Sequence, residues 1–179
     1  MIALRVVLST VAAAVLSAAV APACTTGRAS QPSPPSTAPT VRASSVDPQG
    51  AVKAQVITAY DTFWRTVEHA ALTANWRDPA LTRVAVDPEL RAISQKLYAW
   101  NRDGRVARGH IDLRPTVVSI DGRAAVLNDC QDSSGWVVQS RDGRYKERTK
   151  PHRDFAKVSL VLRGVVWKVA SVHFEQRAC

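Results

Sequence analysis

The hydrophobic period of this chain changes once, just after Gly104, and that change limits the folds open to it. Upstream, Val52, Val56, Tyr60, Phe63, Trp64, Val67, Ala71 and Ala74 recur at steps of three and four, the spacing of one face of an α-helix. Asp61 and Arg65 sit i,i+4 on the other side, as a solvated ion pair would. Downstream, "DFAKVSLVLRG" places Ala156, Val158, Leu160 and Leu162 on one side, the two-residue period of a strand.

Punctuation residues set the boundaries. Asp47-Pro48, Asp78-Pro79 and Asp87-Pro88 each mark a helix N-terminus, because Asp accepts from free helical amides and Pro fits the first position. They predict helices over 48–74, 79–85 and 88–102, the last carrying Leu90, Ile93, Leu97 and Trp100 along one face. Asp121-Gly122, Asp142-Gly143 and Arg163-Gly164 read as turns between strands, with Trp136–Ser140 as one of those strands. The expected product is an α+β domain, N-terminal helices packed on a curved antiparallel sheet of four to five strands. Pro115 belongs at an edge or a bulge, since it cannot donate to a central ladder.

The first 23 residues predict a secretory signal peptide: a singly charged start, an uncharged Ala/Val-rich run over 6–21, and small residues at 21–23. Ala21-Pro22-Ala23 suits ordinary export; the same residues followed by Cys24 resemble a bacterial lipobox, in which Cys24 carries lipid. Residues 24–46 are rich in Ser, Thr, Pro and Ala and predict a disordered tether, because they cannot bury enough apolar surface to fold. The single folding domain is then 47–179. The implied location is the outer face of the cytoplasmic membrane, lipid-anchored, or the medium if secreted.

Three cysteines remain after such cleavage: Cys24, Cys130 and Cys179. If Cys24 carries lipid, Cys130 and Cys179 can pair in an oxidising compartment. Cleavage removes only Arg5, leaving 23 basic against 15 acidic residues, a net +8. Such a charge suggests attraction to anionic lipid or wall polymers, and the export signal argues against nucleic acid. A basic hairpin carries Arg141, Arg144, Lys146, Arg148, Lys150 and Arg153, candidates for contact with an anionic surface or else a solvated edge.

The stripe of Val56, Tyr60, Phe63 and Trp64, the segments "AVLNDCQDSS" and "LVLRGVVWKVASV", and the terminal cysteine resemble the nuclear-transport-factor-two-like (cystatin-like) cone. More narrowly they resemble exported lipoproteins of the actinobacterial type, with a distant likeness to envelope proteins associated with mammalian-cell-entry lipid transporters. The resemblance implies a pocket inside the cone. In enzymatic relatives such as ketosteroid isomerases and limonene-epoxide hydrolases, carboxylates and tyrosines project into that pocket, yet those catalytic motifs have no counterpart here residue by residue. No catalytic residue, cofactor or metal is therefore assigned.

Tyr60, Trp64, Tyr98 and Trp100 are candidates to line the pocket, aromatics at helical spacing being equally suited to plain core. Cys130, beside Asp129 and Asp132, reads as a disulfide partner rather than a nucleophile, because adjacent carboxylates disfavour a thiolate. His110-x-Asp112 and His152-x-Asp154 have the form of metal-ligand pairs but lack partners at known spacing. His69 falls on the solvent side of the first helix. The expected function is a non-enzymatic envelope module for ligand binding or protein interaction, attached to the membrane through its lipid and taking a small apolar ligand or an envelope partner. The alternatives are a small-molecule enzyme of the ketosteroid-isomerase or SnoaL-like type and an accessory subunit of a lipid-transport complex.

Overall fold

A computed structural model describes residues 48–147, 153–175, 177 and 179. The expected signal peptide, Cys24 and the tether lie outside these residues, as do Arg148, Lys150 and His152. Three helices come first, α1 (Pro48–Ala71), α2 (Leu81–Val84) and α3 (Glu89–Arg102). Six strands follow: β1 (Arg105–Arg108), β2 (Thr116–Asp121), β3 (Ala124–Asp132), β4 (Val137–Ser140), β5 (Arg153–Arg163) and β6 (Val166–Glu175).

The strands form two antiparallel sheets, a four-stranded one in the order β2-β3-β5-β6 and a two-stranded one, β1-β4. The expected single meander is thus interrupted. β4 leaves the main sheet to pair with β1, an element that the short segment "RVAR" does not announce. Pro115 immediately precedes β2, which is an edge strand. Register shifts at Val117/Ser119 and Ser159/Leu160 bend the sheet, as an extra residue in one strand does.

α1 supplies the largest share of the core. Val56, Tyr60, Phe63, Trp64, Val67, Ala70 and Ala71 are buried against Ala125 and Leu127 of β3, Ala156, Val158 and Leu160 of β5, and Trp167 and Val169 of β6. His69 is exposed. The helix ends at Ala71, short of Ala74, whose φ of 53° turns the chain while its side chain stays buried.

The Asp-Pro pairs behave differently from one another. Asp78 Oδ1 accepts from the Ala80 amide at 2.9 Å ahead of α2. Asp87 caps nothing: it pairs with Arg91 at 2.8 Å, and its bond to Pro88 is cis. The start of α3 is held by a tertiary contact instead. Buried Glu89 accepts from the Val172 amide of β6 at 2.9 Å, and the Val86 amide donates to Val169 O at 2.9 Å, so this segment covers the β6 edge. No helix among the described residues is long and apolar enough to cross a membrane.

Candidate functional site

Between α1, α3 and the open end of the sheet lies a cavity of about 310 Å³. α1 contributes Trp64 and Val67, and α3 contributes Ile93, Lys96, Leu97 and Trp100. Ile111, Ser133 and Trp136 close one side; Gln131 at the end of β3, Asp154 and Phe174 complete the wall. The amphipathic period of α1 and α3 faces apolar side chains inward, which is why the wall is mostly aromatic and aliphatic. Larger depressions of about 430 and 500 Å³ are open surface grooves, one between α1 and the β5–β6 turn, the other around Trp76 and Tyr98.

The loop wall is held by close backbone approach. Gly109 has φ 98°, and a Cβ there would meet Gly135 O at 1.8 Å. Asp112 and Asp132 exchange backbone hydrogen bonds of 3.0 and 2.9 Å. Glu68, 6% exposed, accepts from the Ile111 amide at 2.8 Å and from Arg65 at 2.8 Å, with His110 Nδ1 at 3.2 Å from its other oxygen. Glu68 went unnoticed in the sequence, although its place one turn after Trp64 put an acid on the buried arc.

Beneath the cavity runs a buried polar chain. The Arg114 amide donates to Asp129 Oδ1 at 2.5 Å, Tyr60 Oη donates to Asp129 Oδ2 at 2.9 Å, and Gln131 Nε2 donates to Tyr60 Oη at 2.5 Å. Alternation along β3 sends Asp129 and Gln131 inward and Cys130 outward. Burial pushes the Asp129 carboxyl above its usual range, opposed by the Arg114 amide and the Tyr60 hydroxyl. Burial, and then the Asp129 charge, raise the Tyr60 hydroxyl far above that of a free phenol. Trp64 Nε1 is buried and has no protein hydrogen-bond partner among the described residues.

Of the four aromatics expected at the pocket, Trp64 and Trp100 line the cavity. Tyr60 lies below it, fully buried. Tyr98 is elsewhere: 51% exposed, it meets Trp76 edge-to-face at 5.3 Å. Positions 98 and 100 differ by two, which on a helix means nearly opposite faces. Cys130 and Cys179 form a disulfide on the outer side of β3. In the basic hairpin, Arg141, Arg144, Lys146 and Arg153 are exposed. Three of them are engaged: Arg141 reaches Thr73 O at 3.4 Å, Arg144 pairs with Asp142 at 3.4 Å and Arg153 with Asp132 at 3.2 Å. Among the described residues no group of three or more His, Cys, Asp or Glu is arranged to hold a metal ion.

No family model matches the chain, and no curated protein sequence does. In fold it is similar to the intermembrane space region of the chloroplast protein ARC6, with a TM-score of 0.51 at 13% identity, covering 72% of this chain and 96% of that one. Looser overlaps include a proposed dehydratase of the NTF2-like family from Streptomyces avermitilis (TM-score 0.45, 16% identity, 72% and 97% covered). Another is a protein of unknown function with a cystatin-like fold from Nostoc punctiforme (TM-score 0.40, 12% identity, 69% and 89% covered). The long helix buried against a bent antiparallel sheet, with two shorter helices beside it, makes this an α+β fold similar to that of the ARC6 region.

Proposed function

We propose that this chain is an exported cell-envelope module that binds a small apolar molecule in its cone cavity without transforming it. The observation that carries the reading is the cavity wall, where Trp64, Trp100, Trp136, Leu97 and Phe174 enclose about 310 Å³. Ligand sites of this kind are apolar cavities with a few placed polar groups.

Export is supported by the disulfide, which persists in oxidising compartments. A lipid on Cys24 would account for the third cysteine and would tether the domain to the membrane surface through residues 25–46. The enzymatic alternative draws on Asp129, whose carboxyl burial raises. Both of its oxygens, however, already accept hydrogen bonds from Arg114 and Tyr60, so it is not poised to take a proton from a ligand.

Isothermal titration of 2-methylnaphthalene into the folded domain tests the binding reading. Saturable uptake in the wild type, abolished by the cavity-filling change Ile93→Trp in a variant with an unchanged unfolding midpoint, is the expected result. No uptake by the wild type would sink it. Intact-mass measurement of the protein recovered from membranes tests the anchor, which fails if Cys24 carries no diacylglycerol.

A further inference from the structure

The two ends of the main sheet hold their positive charge differently. β5 runs from Arg153 to Arg163, roughly 33 Å of extended strand. At its first end lies the basic hairpin read from the sequence. There Arg153 pairs with Asp132, Arg144 with Asp142 and Arg105 with Glu147. At the far end, Arg123 of the β2–β3 turn donates to Leu162 O at 2.9 Å, and Lys168 Nζ donates to Thr82 O at 2.7 Å. Carbonyls are neutral acceptors, so they fix these two cations without cancelling them. Arg83 and Arg163 are exposed and pair with no carboxylate among the described residues.

Acids are scarce at this end. Residues 48–60, 81–84, 121–123 and 163–168 hold Lys53, Arg83, Arg123, Arg163 and Lys168 against Asp121 alone. Asp61 and Asp87, beside those segments, are paired with Arg65 and Arg91.

The same end exposes apolar side chains. Val165 and Val166 follow Gly164, whose φ of 63° makes the turn, and are 93% and 49% exposed. Single exposed valines are ordinary, but two adjacent ones among unpaired cations are a defined surface. They border the groove shared with Arg83 and with Ala54, Thr58 and Ala59 of α1. Pro48 opens that half of α1, so the expected tether, 24–46, joins the domain toward this end.

We propose that the domain rests on an anionic phospholipid bilayer through the Val165–Val166 turn, with Arg83, Arg123, Arg163 and Lys168 around it. Apolar side chains enter the interface while cations meet the headgroup phosphates. A polyanion in solution would use the cations and leave both valines in water. The basic hairpin, at the other end of β5, then stands away from the membrane. This contact is separate from the cavity reading and needs no lipid on Cys24.

The test records ¹H–¹⁵N spectra of the processed chain with nanodiscs whose lipids include a gadolinium-chelating headgroup. In discs containing phosphatidylglycerol, amides of 121–123 and 163–168 are expected to broaden most and those of 141–146 least. Discs of phosphatidylcholine alone should lose this pattern, because the attraction is electrostatic. Arg163→Gln/Val165→Ser, with an unchanged unfolding midpoint, should lose it too. Broadening centred on 141–146, spread evenly or absent overturns the proposal. A pattern that persists in phosphatidylcholine discs overturns the anionic requirement. Shifts at 121–123 and 163–168 with soluble poly(glycerol phosphate), without broadening in discs, would assign the surface to a polymer and overturn the membrane contact.

Discussion

The Tyr60 hydroxyl donates to Asp129 Oδ2 at 2.9 Å, joining α1 to β3 across 69 positions of sequence with neither side chain more than 1% exposed. Asp129 accepts from the buried Tyr60 hydroxyl and from the part-buried Arg114 amide, so it holds the helix and the segment before β2 at one point.

Removing the acceptor should cost more than removing one donor. Asp129→Leu leaves the hydroxyl and the amide unmet and is expected to destabilise by about 2–4 kcal/mol, whereas Tyr60→Phe should cost about 1–2 kcal/mol. Urea unfolding with a common m-value measures both. Equal losses would show that Asp129 does not serve as the shared acceptor.

The buried carboxyls make stability depend on pH in a defined direction. Burial raises Glu89 and Asp129 above their ordinary values of 4.5 and 3.8. As pH rises through that range the unfolded chain releases these protons first, so the folded state holds more of them and stability falls until the raised folded pKa values are passed. Glu89→Gln should flatten this decline in unfolding midpoints measured from pH 4 upward. Asp132 acts oppositely. Hydrogen bonds from Ser134, and then Arg153, lower it to about 2. Its contribution is present above 3.8 and is lost as pH falls toward 2, a loss that Asp132→Asn should remove.

The disulfide spans 49 residues and ties the end of the chain to the outer side of β3. Chain entropy assigns it about 4 kcal/mol. Cys130→Ser and Cys179→Ser should each lose close to that amount, and so should reduction of the wild type. A loss under about 1 kcal/mol would mean that the unfolded chain keeps residual structure that the bond does little to restrict further.

Gly109 offers a test of the loop wall. Its φ of 98° and the 1.8 Å from a hypothetical Cβ to Gly135 O leave no room for a side chain. Gly109→Ala must move backbone, at an expected cost of about 2 kcal/mol or more. The shift falls beside Ile111, Ser133 and Trp136, so the variant should bind 2-methylnaphthalene more weakly as well. Gly104→Ala, where nothing lies within 4 Å but φ is 67°, should show the strain cost alone and keep the cavity.

The elements were legible because they are written in neighbours along the chain. The stripe from Val52 to Ala71 and the alternation from Ala156 to Leu160 both reached the core as spaced. β1 was missed because "RVAR" is too short to show a period, and it exists as a strand only through its pairing with β4. Asp87 was misread because a capping pattern and an i,i+4 ion pair with Arg91 use the same residue. Tyr98 and Trp100 are two positions apart, so α3 turns Trp100 to the cavity and Tyr98 to Trp76, a separation that aromatic spacing alone does not show.

By itself, the sequence determined that helices precede strands, placed the turns, and offered Cys130 and Cys179 as a pair on the condition that Cys24 is otherwise occupied, since period, turn chemistry and cysteine number are local or countable. Only the tertiary structure decided which polar groups meet: Tyr60 with Asp129 and Gln131, Glu68 with Ile111, Glu89 with Val172. Those partners lie 43 to 83 positions apart. Their choice depends on how a bent sheet and a helix approach in three dimensions, where the cost of burying an unmet polar group favours pairing each donor with whichever acceptor the packing brings within reach.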